Sequence, residues 1–185
     1  MINEYITYLR NVRGYSPNTC RAYRNDVVAF VVWIKQQRTE VRWSNITRDD
    51  VDAYVIERSN AGRKASTTNR ALASISGIYN YMKRQGYEVA NPCRYESRRK
   101  IGESVPNTIP CEDLRKAYEH SYGVAKVIIG ILATTGIRVQ ELLNMTWESI
   151  DFENCSIHIY GKGQKERVVY TSPEYLETLR ISASQ

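Results

Sequence analysis

The sequence predicts a mainly α-helical protein with a small antiparallel β-sheet, laid out as two domains. Three observations carry this expectation. Apolar residues recur at helical spacing through residues 1–86. A polar, basic stretch with three prolines, "ANPCRYESRRKIGESVPNTIP", then breaks the pattern. Beyond it, Ile157 and Ile159 alternate with polar residues ahead of a glycine-rich turn and Val168–Tyr170, which is the pattern of a β-hairpin.

The elements follow in order. Met1–Asn11 reads as a first helix. Ser16 is placed as an N-cap with Pro17 at the first helical position, and Tyr23, Val27, Phe30 and Ile34 then make one apolar stripe. Thr47 and Asp50 have the spacing of a capping box ahead of Val51, Tyr54 and Val55. Leu72, Ile75, Tyr79 and Met82 line one side of a helix over Ser66–Arg84, which Gly86 stops. The first domain is therefore a four-helix cluster over residues 1–92, followed by a linker, 93–109, and a second domain, 110–185. There "CEDLRKAYEHS" is a helix, and "GVAKVIIGILATTG" is so apolar that it is expected at the centre of a core. Gly136 ends it, Arg138–Met145 is a short helix, and Ser172–Pro173 starts another after the hairpin.

Composition narrows the function. Four scattered cysteines without a C-x-x-C pair, and only two histidines, point to reduced thiols and away from a metal site. No apolar run approaches the roughly 18 residues that span a membrane, and "MINEYITYLRNVRGYS" lacks the apolar core of a signal peptide, so the cytoplasm is the expected location. The net charge of +6 is uneven: residues 1–109 hold 18 Lys/Arg against 10 Asp/Glu, and Arg58–Lys100 holds 10 against 2. One basic block beside a near-neutral remainder fits a polyanionic partner, most often nucleic acid; a solvated surface is the alternative.

Two groups of residues are candidates for function. On the Ser66–Arg84 helix, Arg70, Ala73, Gly77 and Arg84 fall opposite the apolar stripe, with small residues between two arginines. Such a face can approach DNA closely while the arginines reach phosphates; equally, Ala73 and Gly77 can pack on another helix of the same domain. Lys64 stands just before that helix, and Arg21 can join the same surface. In the second domain, Arg138 opens a helix with Glu141 three residues on, where a carboxylate can orient a guanidinium toward a phosphate or simply form a structural pair. Lys162, flanked by Gly161 and Gly163, can donate a proton from a tight turn, or be an ordinary exposed lysine.

These segments resemble one family. "TTGIRVQELLNMTWESIDFENCSIHIYGKGQKERVVYTS" is similar to the tyrosine recombinases, the phage-integrase and Xer-like site-specific DNA recombinases. Thr-Gly-Ile-Arg-x-x-Glu-Leu-Leu looks like the segment bearing the family's first catalytic arginine, and Gly161–Arg167 like its β-hairpin lysine segment. "YSPNTCRAYRNDVVAFVVWI" and "STTNRALASISGIYNYMKRQGYEVANP" resemble its helical, SAM-like core-binding domain. The resemblance implies a core-binding domain followed by a truncated mixed α/β catalytic domain. It implies DNA cleavage and rejoining through a 3′-phosphotyrosyl link, without metal, cofactor or external energy source. Arg138 would then stabilise the phosphorane, Glu141 would support Arg138, and Lys162 would protonate the 5′-oxygen; Lys165 joins Arg21, Lys64, Arg70, Gly77 and Arg84 as DNA-contacting residues. Full-length members of the family act as tetramers on two DNA sites; this chain alone is expected to be a monomer or to self-associate weakly.

The family also uses a His-x-x-Arg segment and a nucleophilic tyrosine beyond the hairpin. Neither His120 nor His158 is followed by Arg at the third position, and Tyr160, Tyr170 and Tyr175 come too early to be the nucleophile. The chain is thus expected to bind DNA without cleaving it, with half an active site. A catalytically inactive DNA-binding protein that occupies recombination sites is the alternative, and a helical protein–protein scaffold is a third.

Overall fold

The computed structural model describes residues 1–93, 99–100, 108–161 and 166–182. The chain divides into two compact units, Met1–Ser104 and Val105–Gln185.

Among its described residues the first unit has four α-helices, α1 (Ile2–Asn11), α2 (Pro17–Gln37), α3 (Arg48–Asn60) and α4 (Ala65–Arg84), and a 3-10 turn at Trp43–Asn45. The start signals act as the sequence predicts. Ser16 Oγ accepts the Thr19 N–H at 3.3 Å, and Thr47 and Asp50 cap each other reciprocally at the start of α3. The stripes of α2 and α4 meet in one core: Val27, Phe30, Ile34, Leu72, Ile75, Ile78, Tyr79 and Met82 are buried, with Tyr5 and Leu9 of α1 and Val51 and Tyr54 of α3. Tyr79 satisfies its hydroxyl by donating to the Trp43 carbonyl at 2.9 Å.

Most of the stretch read as a linker lies outside the described residues. Its described part is bound to the first unit: Asn69 donates to the Arg99 carbonyl at 2.8 Å and accepts the Arg99 N–H at 2.9 Å. The chain just after α4 is strapped down too, by Asn91 donating to Ser76 Oγ at 2.9 Å.

The second unit contains α5 (Cys111–Glu119), α6 (Gly123–Thr135), α7 (Val139–Leu143), a 3-10 turn (Trp147–Ser149), β1 (Ile150–Asp151), β2 (Ser156–Tyr160), β3 (Glu166–Tyr170) and α8 (Pro173–Ser182). The sheet is antiparallel in the order β1-β2-β3, with Ile157 opposite Val169 and Ile159 opposite Arg167. The hairpin was predicted; β1 was not, because two residues are too few to show an alternation. Gly136 closes α6 in the left-handed conformation at φ 63°, which favours glycine.

The core of this unit is Val127, Ile131, Ile137, Ile157, Ile159 and Leu176. It corrects one expectation. α6 is not buried all round: Val124 is 55% and Ile128 36% exposed. With Leu143, Trp147 and Leu179 they line an open apolar groove of about 310 Å³. The described elements cover only one side of α6, so its second apolar side faces solvent. Among the described residues no helix is long and apolar enough to cross a membrane.

Candidate active-site cluster and nucleic-acid interface

The candidate site of the second unit is organised around a carboxylate. Arg138 is the N-cap of α7 and Glu141 its third residue. The Glu141 carboxylate reaches back to accept the Arg138 main-chain N–H at 2.8 Å, satisfying one of the donors a helix start leaves unpaired. The same carboxylate accepts Arg138 Nη1 at 2.9 Å. From β3, Arg167 binds it with both prongs, Nη1 to Oε1 at 3.0 Å and Nη2 to Oε2 at 2.7 Å. Each oxygen thus takes two hydrogen bonds from two segments of the chain.

The exposures are unequal. The Glu141 side chain is 6% exposed, Arg167 38% and Arg138 75%. The Arg167 guanidinium, then the Arg138 backbone N–H and side chain, hold the Glu141 carboxyl down at about 2 against the opposing effect of burial. The carboxylate is therefore ionised throughout the neutral range. One negative charge faces two positive ones, so the cluster keeps a net positive charge, and its most exposed member is Arg138. A lone Arg138–Glu141 pair would be neutral; Arg167 makes the cluster cationic.

Arg167 is the residue that sequence reasoning missed as a site component. The signal was present. Ile159 and Val169 mark the core-facing side of the hairpin, and Arg167 lies on that side, opposite Ile159. A cation at an inward-facing strand position calls for a buried carboxylate. Lys162 and Lys165 lie outside the described residues.

In the first unit the structure sorts the predicted DNA-facing residues. Arg21, Lys64 and Arg84 are exposed. Two others are taken by the fold. Arg70 donates from Nε and Nη2 to the two oxygens of Asp26 at 2.9 and 3.0 Å, and Ser74 Oγ adds a bond to the same carboxylate at 3.1 Å. Asp26 is 5% exposed, so this is an ion pair that lets α2 carry a buried charge, not a free cation. Gly77 faces α1: a Cβ there would lie 2.1 Å from the Tyr5 hydroxyl. The small residue admits Tyr5, which is the helix-packing alternative for this position, and Gly77 also lines a pocket beside Arg84.

Sequence models of two related domains match this chain: the phage integrase N-terminal SAM-like domain over residues 2–86 and the phage integrase family over residues 111–184. The chain belongs to the tyrosine recombinases of the phage integrase family. Among curated members of this family it is 28% identical over 186 residues to tyrosine recombinase XerC of Lactobacillus delbrueckii subsp. bulgaricus, covering 94% of this chain and 62% of that protein. It is 31% identical over 176 residues to XerD of Pasteurella multocida, covering 91% of this chain and 58% of that protein. The chain thus spans about three fifths of the length of the recombinases it matches. Two solved integrases share the fold. A lambda integrase dimer bound to a COC′ core site aligns with TM-score 0.73 at 18% identity, over 97% of this chain and 67% of that one. The Tn1549 transposon integrase in complex with circular intermediate DNA aligns at 0.65 and 19%, over 100% and 64%.

Proposed function

We propose that this chain binds duplex DNA and supplies part of the active site of a site-specific tyrosine recombinase. The observation that carries the reading is the cationic cluster in which Arg138 and Arg167 share the buried Glu141 carboxylate. Arg138 uses one side-chain N–H on Glu141 and is otherwise exposed, so its remaining donors are free to hold a phosphate. In the strand-exchange reaction that phosphate becomes a five-coordinate phosphorane with growing negative charge. A guanidinium fixed beforehand stabilises it without having to reorganise. Glu141 and Arg167 are positioning residues that act through Arg138. Lys162, which falls between β2 and β3 in sequence, is the proposed proton donor to the 5′-oxygen, and Lys165 a further phosphate contact. Exposed Arg21, Lys64 and Arg84 supply charge on the first unit; Arg70 contributes through its support of α2.

The 185 residues contain no His-x-x-Arg segment. DNA binding without a phosphotyrosyl bond is the outcome proposed for these 185 residues tested alone. Titrating a fluorescent duplex with the full chain at several salt concentrations tests this. Binding is expected to weaken steeply with salt, the logarithmic slope falling by about one in Arg84→Ala, and no covalent adduct should survive on a denaturing gel. Salt-insensitive binding, or none at low salt, refutes the DNA reading; an adduct refutes the division of labour.

A further inference from the structure

The first unit contains a second concentration of unsatisfied donors. A half-enclosed pocket of about 240 Å³ opens between α1, the turn after it, and α4. Tyr5, Tyr8, Arg13, Tyr15, Asn80 and Arg84 line it, and no carboxylate does. Arg84 Nη1 donates to the Tyr8 hydroxyl at 2.9 Å and stacks on the Tyr8 ring at 5.5 Å. Arg13 lines the same pocket beside Tyr8 and Tyr15. Two guanidiniums thus line one pocket, and among the described residues that line it no carboxylate neutralises them. Asn80 accepts from the Asn91 amide at 3.1 Å, which leaves its own NH2 to donate. Tyr5 is 1% exposed, yet among the described residues its hydroxyl has no hydrogen-bond partner. That hydroxyl sits against Gly77 at the pocket wall, where a bound acceptor would give it a partner.

We propose that this pocket is a phosphate seat, and that its occupant is a backbone phosphate of the duplex. The proposal rests on the DNA-binding reading above. The pocket presents the guanidiniums of Arg13 and Arg84, the Tyr5 hydroxyl and the Asn80 amide, a donor-only set that matches phosphate oxygens. It is separate from the Arg138 cluster, and it would hold the helical unit in register on DNA without reading sequence. Free inorganic phosphate has the same chemistry and is the other source to be separated.

The test uses the full chain and two conservative variants, Tyr5→Phe and Arg13→Gln. Tyr5→Phe removes only the unpartnered hydroxyl. It is expected to leave the melting temperature unchanged and to weaken duplex binding about tenfold, the loss of one hydrogen bond to a charged group. Arg13→Gln should weaken binding and lower the salt slope by about one. In the second arm, inorganic phosphate is added at constant ionic strength against chloride. If it raises the melting temperature of the wild type but not of Tyr5→Phe, while duplex binding is equal in both, the seat stands with free phosphate as its ligand. If wild type and both variants bind duplex equally and phosphate has no effect on any of them, the seat is overturned and the DNA reading survives. If the wild type binds no duplex, the DNA reading fails, and the phosphate arm alone decides the pocket.

Discussion

Arg70→Ala separates two roles that a charge count cannot tell apart. Arg70 supplies two hydrogen bonds, at 2.9 and 3.0 Å, to Asp26, whose side chain is 6% exposed. Removing it leaves the carboxylate with the Ser74 hydroxyl alone. Breaking a fully buried pair by deleting one partner costs about 3–5 kcal/mol. Arg70 itself is 48% exposed, so water replaces part of what is lost, and the expected cost is about 2 kcal/mol. For a domain of this size that lowers the melting temperature by roughly 8–16 °C. Circular dichroism melts of Arg70→Ala, Asp26→Ala and the double variant measure it. Each single variant should be destabilised, and the double should lose much less than the sum, because the two residues form one unit. Duplex affinity of Arg70→Ala, measured well below its melting temperature, should fall far less than that of Arg84→Ala. An Arg70→Ala protein that melts like the wild type but binds duplex tenfold more weakly would refute the ion-pair account and return Arg70 to the DNA surface.

Gly77→Ala should destabilise the first unit by about 1–3 kcal/mol, since its Cβ overlaps the Tyr5 hydroxyl; Tyr5→Phe in the same chain should restore most of that loss, and a melt showing no rescue would mean another contact is responsible. Glu141 sets a pH dependence of known sign. Its carboxyl is lowered from 4.5 to about 2, so the stability it contributes is fully present above pH 4.5 and is lost as pH falls toward 2. The gap in melting temperature between wild type and Glu141→Gln should therefore be widest near neutrality and close below pH 4; a gap constant from pH 7 to pH 2 would show that the charge is not what matters. Arg167→Gln and Arg138→Ala should each weaken duplex binding, the two effects overlapping in the double variant instead of adding, as titration of a fluorescent duplex can read.

The helices were legible because their signals are local. Ser16, Pro17, Thr47 and Asp50 act within a few residues of themselves, and the stripes of α2 and α4 need only the helical period. What covers a face is not local. The wheel of α4 placed Arg70 and Gly77 opposite the apolar stripe, but Asp26 lies 44 residues away in sequence and Tyr5 still further. Only the packing of α1 and α2 on α4 decides that Arg70 pairs with Asp26 and that Gly77 lies against Tyr5. In the second unit the Arg138–Glu141 pairing was readable from its spacing, and so was its ambiguity between a structural pair and a phosphate site. Arg167, the second cation on that carboxylate, was not readable from spacing, because it arrives from 26 residues beyond Glu141 through the register of a hairpin.

The Glu141 clamp has a consequence for how the hairpin can vary. Its anchor, Arg167, stands in the body of β3, paired across the ladder to Ile159. The clamp therefore depends on the register of the two strands and not on the residues that join them in sequence. Change in that joining segment can accumulate while Arg138 keeps the same carboxylate partner.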